Sequence, residues 1–315
     1  MTSPVVLVIF NRPSYTQRVF DRVREYKPSR LLVVADGPRS DEEAHLCAAA
    51  RAVIEQVDWE CKVLTNYSDV NQGCNRRLLS GLTWAFEQCP EAIILEDDCV
   101  PHPTFFHYCE ELLQEYRHDE RIMMINGCNF QFGRKRTPYS YYLSRYPHVW
   151  GWASWRRAWR YYNNGTELWS VLQKTSWLRD ILADDDAAAY WRIGFDSMLA
   201  GRMTWDYQWT FTCWTQSGLS ITPDVNLVSN VGFGAGATNA TGPSHRFANL
   251  PTTHMDFPLI HPPHMVRDRA ADRFEFKQEV QAGLYHRLRR KAGAALPAGA
   301  RTQLYSYLVK AKVLR

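Results

Sequence analysis

An α/β fold, with a mostly parallel sheet flanked by helices, is expected from this chain. Short apolar runs alternate with helical stretches through the first hundred residues, and each run ends in a polar cluster. The 315 residues are 45% hydrophobic and 13% aromatic, which is enough for a sizeable core and excludes general disorder.

Val5 to Phe10 is a continuous apolar run and reads as a buried strand. Asn11-Arg12-Pro13-Ser14 interrupts it, and Ser14 suits the cap of a helix running to about Arg24. Arg30 to Ala35 is a second buried strand, closed by the turn signal Asp36-Gly37-Pro38. Asp41 to Val57 reads as helix and Glu60 to Leu64 as a third strand. Asn71-Gln72-Gly73 breaks the chain before a helix from about Arg76 to Gln88. Ala92 to Leu95 is a fourth strand and runs straight into Glu96-Asp97-Asp98. A helix over Phe105 to Tyr116 and a strand over Ile122 to Ile125 follow.

Strands separated by helices pair in parallel, with right-handed crossovers. Ligands then bind beyond the carboxyl ends of the strands. Those ends carry Asn11-Arg12, Asp36-Gly37 and Glu96-Asp97-Asp98, so one sheet edge already has the character of a site.

The middle of the chain is rich in tryptophan. Trp152, Trp155 and Trp159 have helical spacing and read as a core stripe, while Trp150 and Trp152 are candidates for an aromatic wall, as are Trp205 and Trp209. Asn226 to Thr241 reads as a mobile loop whose glycines are placed too late for a dinucleotide fingerprint; a lid is expected there. Arg267 to Lys291 reads as a charged helix, and Thr302 to Leu314 as a last short one.

Several classes are excluded. No apolar window reaches the ~18 residues of a spanning helix. Met1 leads into the first strand with no basic region or cleavage site, so no secretory signal is expected. The eight cysteines form no C-x-x-C pair and read as reduced thiols of a cytosolic protein, without structural zinc. The net charge of +4 hides an asymmetry: Val280 to Arg315 holds eight basic residues and no acid, which leaves the rest of the chain mildly acidic. That balance argues against nucleic acid as a partner. It makes the tail a candidate for an anionic membrane surface, and hence a peripheral position on the inner membrane face.

The chemistry centres on Glu96-Asp97-Asp98. In an extended strand Glu96 and Asp98 share one face and Asp97 takes the other. Three adjacent carboxylates repel unless a cation neutralises them, and Mn2+ or Mg2+ with oxygen ligands suits them. Such ions take one or two carboxylates plus substrate phosphates, which points to a diphosphate-bearing ligand. A solvated acidic turn is the plain alternative. A carboxylate set among aromatics, Asp206 in Thr204-Trp205-Asp206-Tyr207-Gln208-Trp209, is a candidate general base because desolvation raises its basicity. Asp196 is its rival. Asp184-Asp185-Asp186 reads as a solvated helix end.

The segments P-V-V-L-V-I-F-N-R-P, V-V-A-D-G-P-R, N-Q-G-C-N and I-I-L-E-D-D-C-V-P-H-P-T-F-F, in that order, resemble the GT-A glycosyltransferases. The pattern is similar to bacterial nucleotide-diphospho-sugar transferases of the HlpA-like kind. W-G-W-A-S-W-R-R-A-W and N-L-V-S-N-V-G-F-G fit the same group, and W-D-x-x-W resembles the N-acetylglucosaminyltransferase I family. The resemblance covers about residues 4–240.

It implies a Rossmann-like GT-A domain over 1–260, with a donor half to about 130 and an acceptor half over 131–260. A basic helical C-terminal extension would occupy 261–315. Asp98 would bind the metal, Asp97 the ribose and Glu96 the donor sugar. Asp36 would hold the base, although it is also an ordinary turn residue. Asn11 and Arg12 would meet the nucleotide or its phosphates, although Arg12 also suits a surface turn. Asn71 and Gly73 would line the donor pocket, with Gly73 allowing close backbone approach. Where the family often has a Thr-His pair, this chain has Asn239; His245 and His254 are the substitutes at hand for a metal ligand.

The expected activity is transfer of a sugar, with inversion, from a nucleoside diphosphate, UDP by preference. The acceptor would be a saccharide or lipid-linked hydroxyl in bacterial surface polysaccharide or glycolipid synthesis, with Asp206 as the base. Two rivals stay open. A nucleotidyltransferase that makes a nucleotide sugar shares the acid-metal logic but usually has a Gly-rich basic loop after its first strand. A non-catalytic surface or interaction protein would need neither metal nor nucleotide.

Overall fold

Branched aliphatic runs that are buried on both faces become the inner strands of the sheet. The computed structural model describes residues 2–163, 165–199, 201, 204–233 and 246–278. In chain order, β1 (Val5–Ile9), α1 (Pro13–Tyr26), β2 (Arg30–Ala35), α2 (Asp41–Ala52), β3 (Lys62–Tyr67), α3 (Cys74–Gln88) and β4 (Glu91–Glu96) alternate as expected. A short 3-10 turn, Val53–Gln56, extends α2. There follow β5 (Cys99–Pro101), α4 (Thr104–Glu115), β6 (Ile122–Asn126), β7 (Tyr141–Ser144) and β8 (Trp152–Trp155). Five helices come next, α5 (Arg156–Trp159), α6 (Thr166–Leu172), α7 (Trp177–Leu182), α8 (Asp185–Leu199) and α9 (Trp205–Thr215), and then β9 (Leu219–Pro223) and β10 (Val228–Asn230).

The eight-stranded sheet has the order β3-β2-β1-β4-β8-β6-β9-β7. The first four strands are mutually parallel. Only β8 and β7 run against the others, so the sheet is mixed but mostly parallel. β5 pairs with β10 in a separate two-stranded ribbon. No helix among the described residues is long and apolar enough to cross a membrane.

The period of two in the strands sorts the core into two layers. Val5, Leu7 and Ile9 face α1 and α4 through Val19, Phe20 and Phe105. Val6 and, from β2, Leu32 and Val34 face the other way, onto Leu78 of α3 and Trp209 and Phe211 of α9.

Several expectations change here. Ser14 does not cap α1: Arg12 is the N-cap residue and Pro13 starts the helix, where its missing N–H costs nothing. The Trp152–Trp155–Trp159 spacing is not a helical stripe, because Trp152 and Trp155 begin and end strand β8. They bury in opposite layers, and only Trp159 lies in a helix. The described part of the expected extension, residues 261–278, is bonded to the sheet domain. His261 Nδ1 meets the Tyr141 hydroxyl at 2.8 Å. Ser144 donates to Asp272 at 2.6 Å, and His148 pairs with Glu275 at 2.7 Å from a helical turn over 269–278. The basic tail beyond 278, the glycines after Phe233, Asn239 and His245 lie outside the described residues.

Candidate active site

The site grows from sheet register. β1 lies between β2 and β4, and successive connections leave it in opposite directions, so a crevice opens beyond its carboxyl end. Ile9 sits beside Ala35 and Val8 beside Glu96, so the residues that follow, Asn11-Arg12, Asp36 and Asp97-Asp98, arrive together. They border a cavity of about 530 Å3, within the range of small-molecule sites. All nine residues singled out in the sequence line it: Asn11, Arg12, Asp36, Asn71, Gly73, Glu96, Asp97, Asp98 and Asp206.

The acidic triplet departs from simple alternation. β4 ends at Glu96, the chain turns through Asp97 and Asp98, and β5 begins at Cys99. Asp97 and Asp98 therefore meet the same partner. The Arg12 guanidinium bonds to Asp97 and reaches Asp98 Oδ2 at 3.0 Å. Asp97 also accepts the Phe10 backbone N–H at 3.2 Å.

Burial pushes Asp97 up to about 6 against the pull of Arg12. Burial, then the charges of Asp98 and Asp97, push Glu96 well above the usual carboxylate range. Burial works against the Arg12 charge, but Asp97 and Asp98 outweigh it and hold the guanidinium above its ordinary pKa. Gly232 crosses directly over this turn. A Cβ there would stand 2.0 Å from Asp98 Oδ2, so only glycine fits.

Asp36 does something other than wait for a base. Its carboxylate accepts the backbone N–H groups of Gly37 and Gln72 at 2.9 Å each and of Gly73 at 3.0 Å, and the Asn71 amide at 3.1 Å. It staples the loop after β2 to the loop before α3, and Asn71 adds a bond to the Gly37 carbonyl at 2.9 Å. Gly73 is required for its φ of +78°, not for close approach, since a Cβ there would meet nothing within 4 Å. Asn11 is held by Glu43 at 2.5 Å.

Asp206 lies in the first turn of α9 and lines the same cavity as the acidic turn. Burial raises its pKa, while bonds from the Thr204 hydroxyl and from the backbone N–H groups of Asp206 and Tyr207 partly offset this. Trp150 stands in the cavity wall, edge-on to Phe233 at 5.4 Å between centroids. Trp205 also touches the cavity but is 95% covered, stacked on Trp152 at 6.0 Å. Trp209 and Trp152 are fully buried core residues and cannot form a wall. Asp196 does not border the cavity: it accepts the Trp169 indole N–H at 3.1 Å. His254 stands outside too, edge-on to His102. Asp184 caps the Ala187 N–H at 3.0 Å, as a helix-end acid should.

Residues not assigned from the sequence complete the site. Arg39 stacks over Phe10 at 5.3 Å and bonds to Glu43, whose carboxyl it holds down at about 2. Arg77 is buried and spends its guanidinium on the carbonyls of Ala35 and Asn66. Cys74 is exposed at the cavity mouth; desolvation within the site and then the carboxylates of Glu96, Asp206, Asp36 and Asp98 shift its thiol upward, which disfavours the thiolate. The signal for Arg39 was the D-G-P-R turn; nothing local pointed to its pairing with Glu43.

The donor chemistry fits a hard divalent cation. Among the described residues the cavity sets five carboxylates against three guanidiniums, and all three guanidiniums already have protein partners. No three His, Cys, Asp or Glu side chains among the described residues form a metal cage.

No family model matches the chain, and no curated protein does. Among solved structures it is similar to a UDP-glucose pyrophosphorylase complexed with UDP-glucose, at 12% identity and TM-score 0.27, over 46% of this chain and 62% of that one. A cytidylyltransferase from Leptospira borgpetersenii aligns at 10% identity and TM-score 0.31, over 51% and 63%. An apo UDP-glucose pyrophosphorylase aligns at 10% and 0.34, over 70% and 90%. The chain spans less than two thirds of the length of the first two. At these identities and TM-scores the likeness carries no role over to this chain, whose own structure shows a mixed α/β sheet flanked by helices.

Proposed function

We propose that this chain is a metal-dependent glycosyltransferase that moves a sugar from a nucleoside diphosphate, UDP by preference, to an acceptor hydroxyl. The observation that carries the reading is that one cavity gathers the acidic turn Glu96-Asp97-Asp98, Arg12 and the Asp206 carboxylate.

Asp98 would hold Mn2+ or Mg2+, which when bound neutralises the diphosphate leaving group. Arg12 would meet the phosphates as a fork. Asp97 and Glu96 would bind the ribose and the donor sugar. Asp36, Asn71 and Gly73 keep the two loops of the donor side in register. Asp206 would take the acceptor proton, with Trp150 and Phe233 giving the sugar ring an apolar face. A single displacement with one base inverts the anomeric centre. On this reading the donor half runs to about residue 130 and the acceptor half follows it.

The second reading is a nucleotidyltransferase that makes a nucleotide sugar; the solved neighbours carry that name. The loop after β1 weighs against it. Only Phe10, Asn11 and Arg12 separate β1 from α1, and none is glycine.

The test is a melting series of the full chain with nucleoside diphosphates, with and without Mn2+, for the wild type and Asp98→Ala. A metal-dependent rise with UDP that Asp98→Ala loses supports the donor site. Nucleoside triphosphate plus sugar 1-phosphate yielding pyrophosphate would move the second reading to the front. No shift with any nucleotide and metal returns the chain to the interaction-protein class.

A further inference from the structure

We infer that Arg12 is a displaceable internal counter-ion, which keeps the acidic turn closed to free divalent cations until a nucleoside diphosphate arrives. This rests on the proposed donor site and adds an order of events to it. One guanidinium serves two carboxylates: it bonds to Asp97 and lies 3.0 Å from Asp98 Oδ2. The Arg12 side chain is 25% exposed, whereas Asp97 is 3% and Asp98 15% exposed. The cation is therefore the most accessible member of the cluster.

A divalent ion that arrives alone must take Asp98 from Arg12 and then sit beside a displaced positive charge. In a part-buried cavity that repulsion is poorly screened. A diphosphate changes the balance. Its oxygens complete the coordination of the ion and also offer the freed arm of the guanidinium a new acceptor, while the other arm stays on Asp97.

Only the side chain need move. The Arg12 carbonyl is fixed as acceptor of the Thr16 N–H at 2.9 Å and of its hydroxyl at 3.0 Å. The Tyr15 ring, 5.6 Å from the guanidinium carbon, offers it a face as it moves. Among the described residues the other cavity cations are committed elsewhere, Arg39 to Glu43 and Arg77 to backbone carbonyls. Metal and nucleotide should therefore bind cooperatively, each raising the affinity of the other by one factor.

Calorimetric titration of Mn2+ into the full chain, with and without UDP, tests this on the wild type, Arg12→Gln, Arg12→Lys and Asp98→Asn. The wild type should bind Mn2+ weakly alone and gain about tenfold or more with UDP. Arg12→Gln should bind Mn2+ alone about tenfold more tightly than the wild type and gain less from UDP. Mn2+ should also raise the Tm of Arg12→Gln more than that of the wild type, which a merely structural role would not produce. Arg12→Lys keeps a charge but cannot bridge both acids, so it should fall between. If Arg12→Gln does not fold, Arg12→Lys decides: tighter Mn2+ binding than wild type supports the inference, and equal or weaker binding overturns it. UDP-dependent Mn2+ binding that only Asp98→Asn abolishes, with Arg12→Gln no tighter, overturns the counter-ion and leaves the donor site standing. Absence of Mn2+ binding in every protein, with UDP present, overturns both.

Discussion

The two walls of the cavity are built by different forces. On the proposed donor wall Arg12 binds Asp97 and Asp98, Asp36 gathers three backbone N–H groups, and Glu43 holds Arg39 and Asn11. On the proposed acceptor wall Asp206 starts a helix whose next turns pack Trp209, Phe211 and Trp214 into an aromatic layer with Trp152 and Trp159. The first wall owes its shape to charge and directed bonds, the second to volume. The donor wall should therefore answer to cations and the acceptor wall to cavities.

The largest effect expected concerns what stands on the acceptor wall. Asp206→Asn should lower sugar transfer by about 100- to 10,000-fold while leaving the UDP and Mn2+ melting shift intact. Loss of both would show that the walls do not divide the work. Because burial raises the Asp206 pKa, the wild-type rate should fall with falling pH along a limb above the ordinary carboxylate range, and a profile of kcat/KM reads it.

Next is Trp209→Ala, which empties a fully buried site and should cost about 3–5 kcal/mol by urea unfolding. Asp36→Ala should cost less, about 1–3 kcal/mol, yet should weaken UDP binding because it frees both donor loops. Equal losses of nucleotide affinity from Trp209→Ala and Asp36→Ala would break the comparison.

The smallest effect is a control outside both walls. His102 Nδ1 accepts the Thr104 N–H at 3.2 Å and faces its hydroxyl at 2.8 Å, so the neutral ring suits the fold. Burial, then His254 and Arg22, lower its pKa from 6.5. The unfolded chain thus binds this proton more readily. The contribution of His102 is complete above the unfolded value and fades as pH falls through that value and below it. A melting series against pH should show this slope in the wild type and lose it in His102→Asn.

The first half of the chain is legible because each buried parallel strand is a continuous apolar run. Arg30 to Ala35 matches β2 end for end, and the polar residues after β1, β2 and β4 do meet. Where two loops share bonds the sequence was silent: Asp36 and Gly73 lie 37 residues apart, and the staple exists only in three dimensions. The second half of the chain is less legible because β7 and β8 have four residues each and β10 three, too few to show a period. Tryptophan spacing imitates a helix there, and spacing alone does not tell the buried indoles of Trp152 and Trp209 from the ring of Trp150 in the cavity wall.

Strand β4 is where direction reverses, with β1 parallel on one side and β8 antiparallel on the other. Every strand on the β1 side comes earlier in the chain than every strand on the β8 side, so one covalent crossing, through α4, links the two sets. That makes the stretch between β5 and β6 a natural splice for chimeras. A foreign acceptor half could be joined to this donor half at a single point, provided that it brings a counterpart of β10 to pair with β5 and a residue without a side chain to pass over Asp98.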